Sequence, residues 1–221
     1  IDKGKKLAAH VLEAAETDIE FKDGQFGIGG TDRQIDLFEL AGAFEKHENL
    51  PEELGGGLSV IEDNMMETPV FPNGCHICEI EIDPQTGAFE IARYTTVDDV
   101  GRAINPLIVD GQTHGGIVQG AGEALGELCA MDTETGQPLA GSFMDYHMPR
   151  ADEYPSFSTA LNEVPSPTNP LGVKAGGEGG TTPALAVLVN GFVDALRPYG
   201  VRDIKMPVTP RKIWELIQVN S

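Results

Sequence analysis

The chain of 221 residues is long enough for one large domain or two small ones with a sizeable hydrophobic core. Its 15 basic and 35 acidic residues give a net charge of −20, which repels phosphate backbones and anionic membrane surfaces. With 40% hydrophobic residues the chain is too apolar to be disordered, and we expect no nucleic acid partner and no membrane insertion.

The cysteines favour a reducing compartment. There are three, an odd number that argues against a disulfide scaffold, so we expect a cytoplasmic protein. Cys75-His-Ile-Cys78 has the spacing of a metal or redox motif, but no second Cys/His pair lies at a useful spacing. The same residues begin a strand-like run, in which cysteine serves as a small core residue. We therefore interpret them as part of a strand.

The N-terminal third is predicted to combine two helices with two short strands. Residues 3–16 and 35–44 carry apolar side chains at helical spacing. Asp18 to Ile28 is typical of two strands around Lys22-Asp-Gly24, and residues 47–74 indicate irregular structure. The N-terminus has no apolar signal core. It also lacks an initiator Met, so we expect the chain to derive from a longer protein.

The clearest β signal is a hairpin. Cys75–Ile82 and Ala88–Val97 alternate as strands do, and they flank Asp83-Pro-Gln-Thr-Gly87, in which the Pro and Gly positions fit a tight turn. A similar pentapeptide at Asp132–Gly136 indicates the same turn chemistry and not an internal repeat.

A glycine-rich loop followed by a helix is predicted in the middle of the chain. Gly111 to Gly116 would form the loop, and the helix would continue to Gly126. Because a helix start presents free N–H groups, this loop is a candidate anion-binding position. Gly120-Ala-Gly122 lies inside the helix and is better explained by close helix packing than by a dinucleotide-binding fingerprint.

The remainder is predicted to be extended and then to end in a strand and a helix. Residues 149–183 hold six of the 15 prolines and should cross the surface in extended form. Val201–Met206 favours a strand, and Pro210–Gln218 favours a helix introduced by Thr209. The whole pattern predicts an α+β fold with mixed sheets and helices. Any division into two subdomains is expected near residues 70–75 or within 149–183.

The most informative segment is Pro165–Pro183, which places Glu178 among four glycines just before a predicted helix. Thr181 or Thr182 would cap this helix, and Pro183 suits its first turn. Glycines on both sides of a carboxylate let the backbone approach a ligand closely, beside the positive end of the helix. The alternative interpretation is a glycine-rich turn with a solvated glutamate.

Four segments together resemble the C-terminal part of the large subunit of molybdenum hydroxylases, the family of xanthine dehydrogenase, aldehyde oxidoreductase and aerobic carbon monoxide dehydrogenase. They are VDDVGRAINP at 97–106, GQTHGGIVQG at 111–120, FMDYHMP at 143–149 and NPLGVKAGGE at 169–178. Their order and spacing agree, so the resemblance covers essentially the whole chain. It implies that residues 1–221 are the C-terminal part of a molybdopterin-binding domain.

The resemblance implies an oxidoreductase that binds molybdopterin with molybdenum, in the cytosine dinucleotide form. It would oxidise an electron-poor carbon of a small molecule, such as an aldehyde or an N-heterocycle, with oxygen derived from water. Electrons would pass to Fe–S and FAD groups on partner chains or domains. The expected partners are the N-terminal half of the molybdopterin-binding subunit and the iron–sulfur and flavin subunits, in an oligomer. The isolated chain is expected to be inactive.

The resemblance also implies roles for individual residues. Glu178 corresponds to the family's active-site glutamate and would be the general base. The implied cofactor-binding residues are Gln112, Gly115, Gly116, Lys174, Gly176, Gly177, Thr181 and Thr182. For Gln112 and the two threonines, helix capping is the alternative role.

The remaining polar candidates are assigned structural roles. His114 and His147 are expected to pack or to lie on the surface, and no protein ligand to a metal is expected. Asp98 and Asp99 are expected to organise a turn. Ala175 and Gly179 depart from the family's usual Lys-Gly-x-Gly-Glu-Ala-Gly, but both are small, so we expect the loop to be retained.

A second function class remains open at this point. The chain could be a stand-alone, non-catalytic acidic α+β module that binds a nucleotide-like ligand or a partner chain. Glu178, with its glycines in place, favours the enzyme.

Overall fold

The computed structural model describes residues 1–43, 54, 57–63, 65–66 and 68–220. The chain divides into two compact units, Ile1–Met65 and Met66–Ser221. Within the described residues, no helix combines the length and the apolar character needed to cross a membrane.

The first unit packs two helices with a small antiparallel sheet. Its elements are α1 (Asp2–Val11), β1 (Ile19–Lys22), β2 (Gln25–Ile28), β3 (Gln34–Asp36) and α2 (Leu37–Ala43), with the strands in the order β1-β2-β3. The predicted strand pair is confirmed, and its turn at Asp23-Gly24 has φ angles of 51° and 81°. Two positive φ angles define the type I′ turn that joins two-residue hairpins.

Both predicted helices of this unit were too long. The helix expected over 3–16 ends at Val11, and Glu13 has a left-handed φ of 51°. The helix expected over 35–44 starts only at Leu37, because Ile35 pairs in β3 and Asp36 Oδ1 accepts the first N–H groups of α2. Phe44 and much of the stretch predicted as irregular lie outside the described residues; the described end of that stretch, from residue 73, is already strand.

The second unit covers a mixed three-stranded sheet with helices. Its elements are β4 (Asn73–Ile82), β5 (Phe89–Asp99), α3 (Pro106–Leu125), β6 (Ser158–Leu161), α4 (Thr181–Ala195) and α5 (Pro210–Asn220). The hairpin is confirmed, with β4 antiparallel to β5, and β6 adds parallel to β5. Together with the first unit, this arrangement confirms the α+β fold with mixed sheets and helices.

The core of the second unit lies between the inner face of the sheet and helices α3 and α4. Fully buried apolar side chains meet there from all three elements: Ile91, Tyr94, Ile117, Ala121, Ala184 and Leu188. A second cluster joins the end of α4 to α5 through Phe192, Leu196, Val208, Ile213 and Ile217.

The predicted strand at 201–206 is wrong: these residues, all described, form no strand, and Val201 and Ile204 are buried in this second cluster. The cap at Thr209 is confirmed, since its Oγ1 accepts the N–H of Lys212 at 3.3 Å.

Helix α3 begins at Pro106, eleven residues before Ile117, the first residue expected after the loop. Asn105 caps it, since its Oδ1 accepts the N–H of Ile108 at 3.2 Å. Pro106 occupies the first turn, where an N–H would have no helical partner, so proline costs no hydrogen bond there. Gly111 to Gly116 therefore lie inside the helix and not in a loop before it. Their N–H groups take part in the helix, so the expectation that they form an anion-binding helix start is wrong.

Close packing of α3 on α4 explains several glycines. A Cβ on Gly120 would lie 2.6 Å from the carbonyl oxygen of Thr181 and 2.9 Å from Ala184 Cβ, which confirms the packing role predicted for this residue. A Cβ on Gly180 would lie 2.4 Å from the carbonyl oxygen of Thr113 and 3.0 Å from Gly116 Cα. The two helices can approach this closely only because side chains are missing at the crossing.

The two related turns use the same chemistry, as predicted. Asp83 accepts the N–H of Gln85 and the hydroxyl of Thr86, and Gly87 follows with a φ of 76°. In the second turn Asp132 accepts from Glu134 and Thr135, and Gly136 has a φ of 72°. In the first turn, the hydrogen bonds from the Thr86 hydroxyl and the Gln85 N–H lower the pKa of Asp83 below its usual range.

The three cysteines are unpaired, and Cys75 and Cys78 lie in β4, as predicted. Cys75 and Cys129 are exposed, whereas burial raises the pKa of Cys78 to about 11 and its Sγ donates to the carbonyl of Val187.

At pH 8 the thiolate fraction of Cys78 should be about a hundredfold lower than that of an ordinary cysteine. We expect an uncharged alkylating reagent to modify two thiols of the folded chain quickly and the third only after denaturation. Rapid modification of Cys78, located by peptide mass, would contradict this burial.

Candidate cofactor-binding site

Glu178 borders an open cavity of about 470 Å³ in the second unit. Four parts of the chain line it: the start of β4, the end of β5, the middle of α3, and the glycine-rich segment with the first turns of α4. The lining residues are Pro72, Asn73, Gly74, His76, Asp98, Val100, Thr113, Gly176, Glu178, Gly179, Thr182, Pro183 and Ala186. The structure therefore brings three predicted site residues, Glu178, Gly176 and Thr182, to one cavity.

The start of α4 is built by backbone and not by a capping side chain. Gly180 is the N-cap, and no side chain among the described residues caps it. The predicted caps are thus wrong: Thr181 Oγ1 lies 3.2 Å from Gln119 Oε1 on α3, and Thr182 lines the cavity. The Thr182 N–H donates to the carbonyl of Glu178 at 3.1 Å, which ties the glutamate directly to the first helical turn.

Gln112 reaches the glycine-rich segment from α3. Its Nε2 donates to the carbonyl oxygen of Gly177 at 2.8 Å. The alternative role of helix capping is wrong, because Gln112 lies in the second turn of α3, whose cap is Asn105. Gln112 and Gly177 thus lie next to Glu178, and a direct contact between either residue and the cofactor stays a prediction.

Gly115 and Gly116 face different surroundings. Gly116 is buried against Gly180 and Thr181, at the crossing of the two helices. Gly115 is exposed and lines a separate depression of about 530 Å³ with His114. No atom of the described chain lies within 4 Å of where its Cβ would be, apart from its immediate neighbours and its own helix. The structure does not bring Gly115 to the cavity that Glu178 borders.

A buried polar network forms the wall contributed by the sheet. The side chain of His76 is only 1% exposed; its Nδ1 lies 2.8 Å from the hydroxyl of Tyr94 and its Nε2 lies 3.1 Å from Asp98 Oδ1. Asp98 Oδ2 accepts the hydroxyl of Thr96 at 2.6 Å. A Cβ on Gly74 would lie 2.2 Å from Asp98 Oδ1, so the glycine makes room for the carboxylate. Burial raises the pKa of Tyr94, whose hydroxyl stays protonated.

Sequence reasoning missed this network. Asp98 does not organise a turn, because it lies in β5 with its side chain on the inner face. The available signal was the period of two: Gly74, His76 and Cys78 alternate inward on β4, opposite Asp98, Thr96 and Tyr94 on β5. Polar residues at successive inward positions of paired strands indicate a polar wall.

Asp99 does organise the end of β5, as predicted, and it also pairs with Lys174. Its Oδ1 accepts the N–H of Gly101 at 2.8 Å and that of Val164 at 3.1 Å, and its Oδ2 lies 2.5 Å from Lys174 Nζ. The hydrogen bond from Lys174, with the two backbone hydrogen bonds, lowers the pKa of Asp99 to about 2. Lys174 was predicted to bind the cofactor, and the structure places its amine on this carboxylate.

The contribution of this ion pair to the free energy of unfolding should decrease at acidic pH. Since the pKa of Asp99 is lower in the folded than in the unfolded chain, its contribution to stability is complete above about pH 4 and is lost as the pH falls through about 2. We expect the difference in unfolding free energy between wild type and Lys174→Met to shrink over that range, measured by urea denaturation. A difference that stays constant from pH 5 to pH 2 would contradict the pairing.

His114 and His147 have packing roles, as predicted. The ring of His114 meets that of Phe157 edge-on, with centroids 5.3 Å apart. His147 packs on Gly126, where a Cβ would lie 2.2 Å from the imidazole, and its Nε2 lies 3.3 Å from Glu153 Oε2. Within the described parts of the chain, no group of three or more His, Cys, Asp or Glu residues could hold a metal ion.

The cavity leaves room for a ligand to approach the backbone. It is open and bordered by glycines. A Cβ on Gly176 would lie 3.3 Å from Val100 Cγ1, which is a tight contact. Around Gly177, apart from its two chain neighbours, no described atom lies within 4 Å of the position that a Cβ would take. A ligand can therefore approach the main chain there, beside the positive end of α4. Fold and cavity together define an α+β domain with a glycine-flanked carboxylate at an open cavity.

Comparison with known proteins identifies the family. Residues 1–155 match the model of the molybdopterin cofactor-binding domain. The chain is 38% identical over 219 residues to the 6-hydroxypseudooxynicotine dehydrogenase complex subunit gamma of Paenarthrobacter nicotinovorans, and 31% identical over 219 residues to the carbon monoxide dehydrogenase large chain of Hydrogenophaga pseudoflava. Each alignment covers 99% of this chain and 27% of the relative. The chain belongs to the molybdopterin cofactor-binding domain family of molybdenum hydroxylase large subunits.

Solved structures agree with this assignment. Carbon monoxide dehydrogenase from Oligotropha carboxidovorans superposes with a TM-score of 0.84 at 31% identity, over 99% of this chain and 27% of that chain. Quinoline 2-oxidoreductase from Pseudomonas putida 86 superposes with a TM-score of 0.83 at 34% identity, over 98% of this chain and 28% of that chain. The chain thus spans about a quarter of the length of the relatives it matches.

Proposed function

We propose that this chain forms one wall of the cofactor site of a molybdenum hydroxylase and that Glu178 is its general base. The observation that carries the proposal is the position of Glu178 at the cavity, between Gly176, Gly179 and the first turn of α4. A general base must lie within hydrogen-bonding reach of the proton that it removes, and Glu178 is exposed and lines the cavity that a cofactor and a substrate would share.

When bound, the molybdenum cofactor supplies the electron acceptor for a two-electron oxidation and the centre at which water is activated. Glu178 accepts the proton that the water-derived oxygen loses as it attacks carbon. Gly176, Gly177 and Thr182 hold the cofactor through backbone and hydroxyl groups, beside the positive end of α4. Gln112 fixes the carbonyl of Gly177 and thereby shapes the same segment.

The substrate is a small molecule with an electron-poor carbon, such as an N-heterocycle or an aldehyde. Quinoline and nicotine are named for two of the relatives, and these support the heterocyclic class. Carbon monoxide is named for others, but the match covers only 27% of that relative, so it does not by itself assign the gas as substrate.

The complete enzyme comprises more than this chain. About three quarters of the length of its relatives lies outside the match, and the cofactor, in its cytosine dinucleotide form, would be enclosed only with that remainder. Iron–sulfur and flavin subunits would receive the electrons in a cytoplasmic oligomer. Exposed apolar side chains at the start of α3, with Ile104 65%, Leu107 80% and Ile108 68% accessible, support a covering partner.

The first test is chemical analysis of the complete complex, purified gently from its native host grown with ample molybdate. We expect molybdenum and a cytidine nucleotide in equal amounts, with iron-rich and flavin-bearing chains identified by mass. A preparation without molybdenum, nucleotide or partner chains would overturn the proposal and indicate a stand-alone binding module.

A further inference from the structure

The segment that carries Glu178 is attached to the end of β5 by a short backbone ladder. The N–H of Lys174 donates to the carbonyl of Val100 at 2.8 Å, and the N–H of Arg102 donates to the carbonyl of Gly172 at 2.9 Å. Gly101, with a φ of 66°, permits this approach, because a Cβ there would lie 2.3 Å from the carbonyl oxygen of Gly172. Glu178 follows only four residues after this ladder.

The ion pair between Lys174 and Asp99 lies on the same ladder and is almost enclosed. The side chains are 12% and 11% exposed, and the two charged atoms are 2.5 Å apart. Asp99 also accepts backbone N–H groups from Gly101 and Val164, so one carboxylate joins three separate segments of the chain. A buried charge that loses its partner is strongly unfavourable, which makes this contact a firm attachment for the segment.

Two attachments therefore hold the segment just before Glu178. Lys174 is held by Asp99 at the end of β5, and Gly177 is held by Gln112 on α3. Between and just after them lie glycines, which by themselves would leave the segment many conformations.

We infer that Lys174 is a positioning residue, which fixes the Glu178 segment through Asp99 and does not itself bind the cofactor. The inference rests on the proposed role of Glu178. Loosening the segment would displace Glu178, and a misplacement of about 1 Å in a catalytic group reduces turnover by up to about a hundredfold.

The test uses the complete enzyme complex carrying Lys174→Met, Asp99→Asn or both substitutions. Lys174→Met should lower kcat by about 10- to 100-fold, leave KM and molybdenum content near wild type, and accelerate amide hydrogen exchange over residues 175–180. The double variant should recover part of the lost turnover, because it leaves no unpaired charge, and this coupling would appear as non-additivity. Lys174→Arg keeps the charge and should stay closest to wild type.

Lys205→Met is the matched control, since Lys205 is exposed and lies outside the site; turnover and exchange should not change. Loss of molybdenum from Lys174→Met with unchanged exchange over 175–180 would overturn the inference and make Lys174 a cofactor ligand. Unchanged exchange with unchanged turnover would overturn it as well. Failure of the Glu178 proposal is distinguishable, because Glu178→Gln would then keep full turnover while Lys174→Met still accelerated exchange.

Discussion

Glu178→Gln in the complete enzyme complex is expected to reduce kcat by about 10²- to 10⁴-fold, the range that general-base catalysis contributes. The amide has nearly the shape of the carboxylate but cannot accept the proton. Glu178 is exposed, and within the described residues its side chain makes no hydrogen bond. The substitution should therefore leave the fold intact. Steady-state kinetics with the physiological substrate class, combined with molybdenum analysis, measures the effect.

Two comparisons separate loss of the base from loss of the cofactor. Molybdenum content of Glu178→Gln should equal that of wild type, so that the decrease appears per loaded site. Glu81→Gln is the control, because Glu81 is exposed on β4 and lies outside the cavity; its turnover should be normal. Near-normal turnover of Glu178→Gln at full molybdenum content would remove Glu178 from the reaction.

The second large effect concerns the crossing of α3 and α4. Gly120→Ala should lower the free energy of unfolding by about 2 kcal/mol, because the added methyl group would lie 2.6 Å from the carbonyl oxygen of Thr181 and force the helices apart. Gly115→Ala lies in the same helix with open space around it and should raise stability by up to about 1 kcal/mol through helix propensity. Denaturant unfolding of the two variants measures this contrast.

The same pair of variants tests the predicted cofactor contact of Gly115. If the main chain at Gly115 approaches the cofactor, Gly115→Ala will stabilise the chain but reduce molybdenum content in the complete complex. A variant that is more stable and fully loaded would show that Gly115 has no part in cofactor binding. Equal destabilisation of Gly115→Ala and Gly120→Ala would contradict the packing described for this helix crossing.

Local sequence signals predicted the elements that form through neighbouring residues. The β4–β5 hairpin follows from alternation and from a turn whose aspartate, threonine and glycine bond to one another. The start of α3 had an equally local signal, Asn105 followed by Pro106, but the glycines at 111–116 were interpreted as a loop. Those glycines lie within a helix that spans 20 residues and is stabilised by tertiary packing.

Elements without local signals depended on partners elsewhere. Residues 201–206 were predicted as a strand, yet they form none, and Val201 and Ile204 are buried in the cluster that joins α4 to α5. Ile35 was assigned to a helix and instead pairs with Phe26 across the sheet. In both cases the apolar pattern specified burial, and only the tertiary fold decided the backbone conformation that achieves it.

By itself, the sequence determined the class of domain and singled out Glu178 as the candidate base, because glycines around Glu178, a following helix and the ordered motifs are features of contiguous residues. Only the tertiary structure decided what surrounds that carboxylate. His76 and Asp98 come from paired strands, Gln112 meets Gly177 across 65 residues, and Lys174 meets Asp99 across 75. The contacts of Gln112 and Lys174 leave no periodic trace in the sequence, since they arise only when the sheet and both helices have closed on one core.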